Sequence, residues 1–168
     1  ALAQLGGVSN EDIKTGMASF RGVDRRFDFK IKTDKVVYLS DYAHHPEEIK
    51  QSILSMRALY EGKRLTGIFQ PHLYTRTRDF YQEFADSLSL LDEVILTDIY
   101  PARELPIEGV SSQLIYDNLR PDIDKTLCKK EEVIDILKKK EIEVLMTLGA
   151  GDIENYAPQI CEILNERC

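Results

Sequence analysis

A chain of 168 residues, 43% hydrophobic and 30% charged, is one ordinary domain with a sizeable core rather than a disordered segment. Its formal net charge of −7 argues against a nucleic acid or an anionic membrane held through bulk charge. No apolar run approaches the ~20 residues of a membrane span, no signal peptide precedes the fold, and the missing initiator Met suggests an excised piece.

Ala1 to Leu5 reads as the end of a helix begun upstream, stopped by Gly6-Gly7. Ser9-Asn10-Glu11-Asp12 caps a short helix through Ile13 and Met17, and Gly22 marks a break near a domain boundary. Phe27, Phe29 and Ile31 alternate with Asp28, Lys30 and Lys32, the period of a half-buried strand. Val36 to Leu39 pairs with it across Thr33-Asp34, a turn without the usual glycine. Pro46 then opens a helix whose stripe is Ile49, Ile53, Met56 and Tyr60, widened by Leu54 and Ala58. Arg64 to Phe69 is the next strand, followed by a helix with Phe80, Phe84, Leu88 and Leu91 on one face. Val94 to Leu96 is another strand, and Ser111-Ser112 caps a short helix through Leu119. Lys125 to Cys128 is a minor strand. Val133, Ile136 and Leu137 mark a helix whose Lys138-Lys140 end suits the negative pole of its dipole. Val144 to Leu148 is the last strand, and the final helix runs from Ile153. Strands alternating with helices predict an α/β fold, a Rossmann-like, mostly parallel sheet flanked by helices.

In such sheets ligands bind beyond the carboxyl ends of the strands. Four loops fall there: one with Asp41, Tyr42, His44 and His45; one with His72, Tyr74, Arg76 and Arg78; one with Asp98, Tyr100, Arg103 and Glu104; and Gly149 to Asp152. Their convergence on one edge predicts the site. His44 or His45 is expected to hydrogen-bond or to act as general acid or base near neutral pH. Adjacent residues point in opposite directions and no further ligands stand at zinc spacing, so no metal site is expected within this chain. Arg76 and Arg78 lie where a helix begins and oppose its dipole. A bound carboxylate or phosphate offsets that, or the two are solvated and paired with Asp79 or Glu83. Gly149-Ala150-Gly151 admits a phosphate close to the backbone, or serves tight strand-to-helix packing. Cys128, Cys161 and Cys168 show neither metal spacing nor an even disulfide count, which suits a reducing cytoplasm, with Cys161 as a small core residue. No Gly-x-x-x-x-Gly-Lys-Ser/Thr loop is present, so the chain has no P-loop of its own.

Asp41-Tyr42-Ala43-His44-His45-Pro46, Phe69-Gln70-Pro71-His72-Leu73-Tyr74-Thr75-Arg76-Thr77-Arg78, Tyr100-Pro101-Ala102-Arg103-Glu104-Leu105-Pro106-Ile107 and Gly149-Ala150-Gly151-Asp152 resemble, in order, the carboxy-terminal domain of the Mur ligases. Phe20-Arg21-Gly22-Val23-Asp24-Arg25-Arg26-Phe27 is similar to that family's junction between central and terminal domains, and the second motif resembles its alanine-adding branch. The resemblance implies that residues 1–22 are the tail of a central, ATP-binding domain with its linker, and that residues 23–168 are the terminal domain. It implies a bacterial, cytoplasmic enzyme of peptidoglycan synthesis using ATP and Mg²⁺, held mainly by the central domain. The carboxylate of UDP-N-acetylmuramate is activated as an acyl phosphate, which the amine of L-alanine attacks. The partners implied are those substrates and the enzyme's own N-terminal and central domains, and the isolated fragment is expected to be inactive. Carried over by motif, Asp41 and His44 are catalytic and lie on the nucleotide and acyl-phosphate side with Gly149 and Gly151. Tyr42, His72 and Arg76 take the L-alanine. Leu73 departs from a frequent arginine and Arg103 from a frequent glycine. A sibling ligase attaching a peptide or another amino acid, and a non-catalytic nucleotide- or anion-binding module, are the alternatives.

Overall fold

Thr33 supplies what the first turn lacks in glycine. Its hydroxyl accepts the Val36 N–H at 3.0 Å and donates to the Val36 carbonyl at 2.9 Å. That turn joins β1 (Asp28–Lys32) to β2 (Val37–Asp41) as an antiparallel pair. In this computed structural model, which describes residues 2–20 and 22–167, the pairing is bulged: Phe29 stands opposite Leu39 but Ile31 opposite Tyr38. Consecutive positions on β2 face opposite sides, so the bulge sends Phe29 to one core and Ile31 to the other. The even alternation expected over residues 27–32 fails for that reason. Phe27 stands ahead of the strand with φ 49°. Ala1, Arg21 and Cys168 lie outside the described residues, and with them one residue of the opening stretch, one arginine of the junction stretch and one thiol.

The N-terminal helices α1 (Leu2–Leu5) and α2 (Asn10–Ser19) form as the caps and glycines dictate, Ser9 Oγ accepting the Asp12 N–H at 3.1 Å. Neither buries a residue, and Leu2, Leu5, Met17 and Phe20 stay exposed. The remaining elements are α3 (Pro46–Leu59), β3 (Leu65–Phe69), α4 (Tyr74–Leu88), β4 (Glu93–Leu96), α5 (Gln113–Asn118), β5 (Asp124–Leu127), α6 (Val133–Lys138), β6 (Val144–Leu148) and α7 (Ala157–Asn165). The described strands run β1-β2-β6-β3-β4-β5 across the sheet, parallel apart from β1. The mostly parallel α/β architecture read from the sequence is therefore the one present. Among the described residues no helix is long and apolar enough to cross a membrane.

Alternate strand residues feed two cores. Val37, Leu39, Phe69, Leu96 and Met146 meet α3, α4 and α5; Tyr38, Ile68, Ile95 and Leu145 meet α6 and α7. Each fully buried large side chain contributes about 1.5–3 kcal/mol. The stripe of α3 is Ile49, Ser52, Ile53 and Met56, which follows i, i+3, i+4, i+7. Leu54 and Ala58 are exposed, because they sit about 100° and about 140° around the helix from Ile53 and fall outside it. Leu91 is buried but lies beyond the end of α4. Ser112 turns its hydroxyl to the Thr97 carbonyl at 2.6 Å instead of capping α5. Lys140 pairs with Glu93, a carboxylate buried at the start of β4.

The strand order decides where a ligand can enter. The chain leaves β2, crosses to β3, continues outward to β4 and β5, and returns to lay β6 between β2 and β3. Asp41, Leu148 and Phe69 lie in register across those three strands. The crevice of a doubly wound sheet opens at this reversal.

Candidate functional site

Asp41 is the last residue of β2, and its Oδ1 accepts the Ala43 N–H at 3.3 Å, which bends the chain over the sheet edge. The next turn is fixed by Glu48, which accepts the backbone N–H of His44 at 3.0 Å and of His45 at 3.2 Å. The two imidazoles diverge. His45 packs edge-on against Phe80 at 5.1 Å, on the helical side. His44 turns to the crevice, 5.2 Å from the Tyr42 ring and 6.1 Å from the His72 ring. Its Nδ1 lies 3.0 Å from the Tyr42 carbonyl and 3.3 Å from Glu48 Oε2, both of which accept, so in the neutral ring Nδ1 carries the proton and the lone pair falls on Nε2. Arg25 lays its guanidinium 4.8 Å over the Tyr42 ring and donates from Nη2 to the Gly151 carbonyl at 3.2 Å. Beside this row lies a cavity of about 340 Å³, lined by Arg26, Phe27, Asp41, Tyr42, His44 and Ser52 among others. The Ser52 hydroxyl is buried there without a hydrogen-bond partner.

The second loop is shorter than expected, because α4 starts at Tyr74 and takes Arg76 and Arg78 into its first turns. Only one of these arginines turns inward. Arg78 donates to its neighbour Asp79 at 2.7 Å on the surface, while Arg76 reaches His72 Nδ1 at 3.4 Å. A guanidinium cannot accept, so Nδ1 of His72 does, and its proton sits on Nε2. His72 stacks on Tyr100, with centroids 5.6 Å apart. The third loop thus meets the second, and Glu104 accepts the Thr75 N–H at 3.0 Å. A helix N–H that was expected to face an anion is therefore already taken by this carboxylate. Arg103 is exposed, and nothing in the structure explains an arginine there.

Gly149 and Gly151 sit against Gln70. A Cβ on Gly149 would lie 2.7 Å from the Gln70 carbonyl oxygen, and one on Gly151 would lie 2.2 Å from Gln70 Oε1 and 2.8 Å from Tyr100 Cβ. Gln70, buried, donates to Asp152 Oδ1 at 2.8 Å and accepts the Ile153 N–H at 3.0 Å, which fixes the fourth loop to β3. Asp152 also pairs with Lys130. Among the described residues no three His, Cys, Asp or Glu side chains stand close enough to hold a metal. Burial pushes the Cys128 thiol up to about 11, so it is protonated at neutral pH.

Burial, and then the positive charge of Arg76, hold the His72 imidazole below its ordinary 6.5. It is neutral at pH 7. As the pH falls through the ordinary imidazole range the unfolded chain takes up this proton first, so His72 disfavours the folded state on acidification. Titrating the three histidine rings by NMR should give His72 a midpoint below 6.5, shifted upward in Arg76→Ala. A midpoint at or above 6.5 in the unsubstituted protein would contradict the burial and charge described.

Reading the residues alone places Glu104 on this edge but not against Thr75, and does not find Arg25, Ser52 or Gln70 as parts of the site. Glu48 carries a signal, since His45-x-x-Glu48 has the spacing of a capping box. The contacts of Gln70 and Glu104 carry none, because each acts on a segment 29 or more positions away.

A doubly wound sheet with aromatic, imidazole, guanidinium and carboxylate groups gathered at its reversal point defines an α/β domain with a candidate ligand crevice at that edge. More specifically, the chain belongs to the Mur ligase family: residues 25–153 match the family described as Mur ligase, glutamate ligase domain. The UDP-N-acetylmuramate–L-alanine ligase of Phocaeicola vulgatus is 77% identical over 167 residues, covering 99% of this chain and 36% of that protein. The ligase of the same name from Parabacteroides distasonis is 59% identical over 98% of this chain and 35% of its own length. The crystal structure of the UDP-N-acetylmuramate-alanine ligase of Thermotoga maritima superposes with a TM-score of 0.79 at 26% identity, covering 99% of this chain and 36% of that one. A MurF ligase from Thermotoga maritima, solved in complex with ADP, shares the fold at 20% identity and a TM-score of 0.65, covering 99% of this chain and 37% of that one. The chain spans little more than a third of the length of the curated relatives it matches.

Proposed function

We propose that the chain is the carboxy-terminal domain of an ATP-dependent ligase that joins L-alanine to the carboxylate of UDP-N-acetylmuramate in the bacterial cytoplasm. The observation that carries this reading is 77% identity, over nearly the whole chain, to a protein of that name. Residues 1–22 are then the tail of the preceding domain and its linker, which fits two helices that bury nothing. The other partners are the parent's N-terminal and central domains, and the fragment by itself does not turn over.

ATP supplies the phosphoryl group that activates the sugar-nucleotide carboxylate. The cavity beside Asp41, with the cation of Arg26 on its rim and the orphaned Ser52 hydroxyl in its wall, fits a polar ligand such as a nucleotide. The described residues offer Mg²⁺ no three-ligand group, so no step of this chain is assigned to it. Asp41 and His44 serve the nucleotide and acyl-phosphate side, with Gly149 and Gly151 shaping the edge next to them. His44 Nε2, its lone pair free, can take a proton from the attacking amine. Tyr42, His72 and Arg76 hold the amino acid, Arg76 through a charge-assisted contact to its carboxylate and His72 through the proton on Nε2.

Phosphate release by the full-length parent with ATP, Mg²⁺ and UDP-N-acetylmuramate tests the reading, with L-alanine, glycine, L-serine and a tripeptide offered in turn. Preference for L-alanine is expected. Activity with the tripeptide alone would move the chain to a sibling ligase, and silence with every acceptor would make it a binding module.

A further inference from the structure

Leu73 precedes α4 with φ 74°, a conformation that L-residues rarely adopt, and its side chain cannot accept a hydrogen bond. A helix that starts this way leaves its first N–H groups without a local acceptor. The acceptor comes from 29 residues downstream: Glu104 Oε2 takes the Thr75 N–H at 3.0 Å and Oε1 takes the Thr75 hydroxyl. The loop that carries it is itself tied to this turn. Leu73 N donates to the Tyr100 carbonyl at 3.0 Å and Tyr100 N to the Pro71 carbonyl at 2.8 Å, while Glu104 N closes onto the Pro101 carbonyl at 2.9 Å. His72 and Arg76 stand on either side of the capped segment.

We propose that Glu104 is a positioning residue for the amino-acid site: it caps α4 across the gap between two loops and holds the first turn so that Arg76 and His72 converge. This rests on the reading of His72 and Arg76 as the carboxylate-binding pair. The Thr75 hydroxyl and N–H hold the Glu104 carboxyl below the usual carboxylate range, so the cap is ionised at neutral pH. Because the cap already uses the Thr75 N–H, the incoming carboxylate is left to the side chains of Arg76 and His72.

Steady-state kinetics of the full-length ligase decide it, with L-alanine and ATP varied separately and melting followed alongside. Glu104→Ala is expected to raise KM for L-alanine roughly 5- to 10-fold and to leave KM for ATP within about twofold. Glu104→Gln keeps an oxygen for the N–H and a geometry that the Thr75 hydroxyl can meet by accepting, and should stay within about threefold of the parent. An unchanged or lowered alanine KM in Glu104→Ala, or a Gln variant as impaired as the Ala variant, overturns the proposal. Should Glu104→Ala fail to fold, Thr75→Val removes the hydroxyl arm alone, and an alanine KM raised roughly two- to threefold is then expected, no change overturning it. Arg76→Ala measured beside them separates the failures: no change there sinks the carboxylate site itself, whereas a rise there with none in the Glu104 and Thr75 variants sinks the positioning role alone.

Discussion

In the full-length ligase, Arg76→Ala is expected to raise KM for L-alanine roughly 10- to 100-fold while KM for ATP changes little. Of the two arginines in the first turns of α4, Arg78 is spent on Asp79 at the surface and Arg76 alone faces the ring cluster. Its contact to a neutral histidine leaves most of the guanidinium fork for a carboxylate, and a charge-assisted contact of that kind is worth about 1.5–3 kcal/mol. Leu73 offers no second cation beside His72, so nothing on this loop substitutes for the lost charge. Arg76→Lys should recover part of the loss, since an ammonium keeps the charge but not the planar two-pronged geometry. The check is a KM against kcat comparison with each substrate, and an alanine KM that does not move would refute the assignment.

Gly149→Ala is expected to lower stability by ~2–4 kcal/mol, a fall in Tm of about 4–16 °C for a chain of this size. Two effects add. Gly149 has φ 137°, a region that residues with a Cβ avoid, and the new Cβ would stand 2.7 Å from the Gln70 carbonyl oxygen. That oxygen belongs to backbone at the end of β3, where Gln70 N donates to the Leu148 carbonyl at 3.1 Å, so it cannot step aside as a side chain could. Gly62→Ala makes the contrast, because at φ 79° it meets nothing within 4 Å and should lose only about 1 kcal/mol. Thermal and urea melts of the two variants measure the difference. Equal melting points would mean that the fourth loop yields more easily than its packing suggests.

Glycines, caps and apolar periods act within a few residues, and whatever depends on them could be read from the order of the residues. Ser9, Pro46 and the short apolar runs of β2, β3 and β6 set elements that form where those residues stand, and a strand followed by a helix throughout leaves a parallel sheet as the economical packing. Because ligands gather at the carboxyl ends of such strands, the four loops were legible as one edge before any coordinate. Tertiary structure decided what depends on partners far along the chain. The bulge opposite Tyr38 put Phe29 and Ile31 on different faces, which an alternating pattern cannot announce. The strand order, with β6 laid between β2 and β3, chose which loops touch. It turned His44 toward the crevice and His45 toward Phe80, and it kept Arg76 while releasing Arg78 to the surface. It also placed Gln70 against two glycines and Glu104 on Thr75, contacts between segments separated by 29 or more residues. Local preferences are written in neighbouring side chains, whereas a contact across the sheet edge exists only once burial of both cores has fixed the strands that carry it.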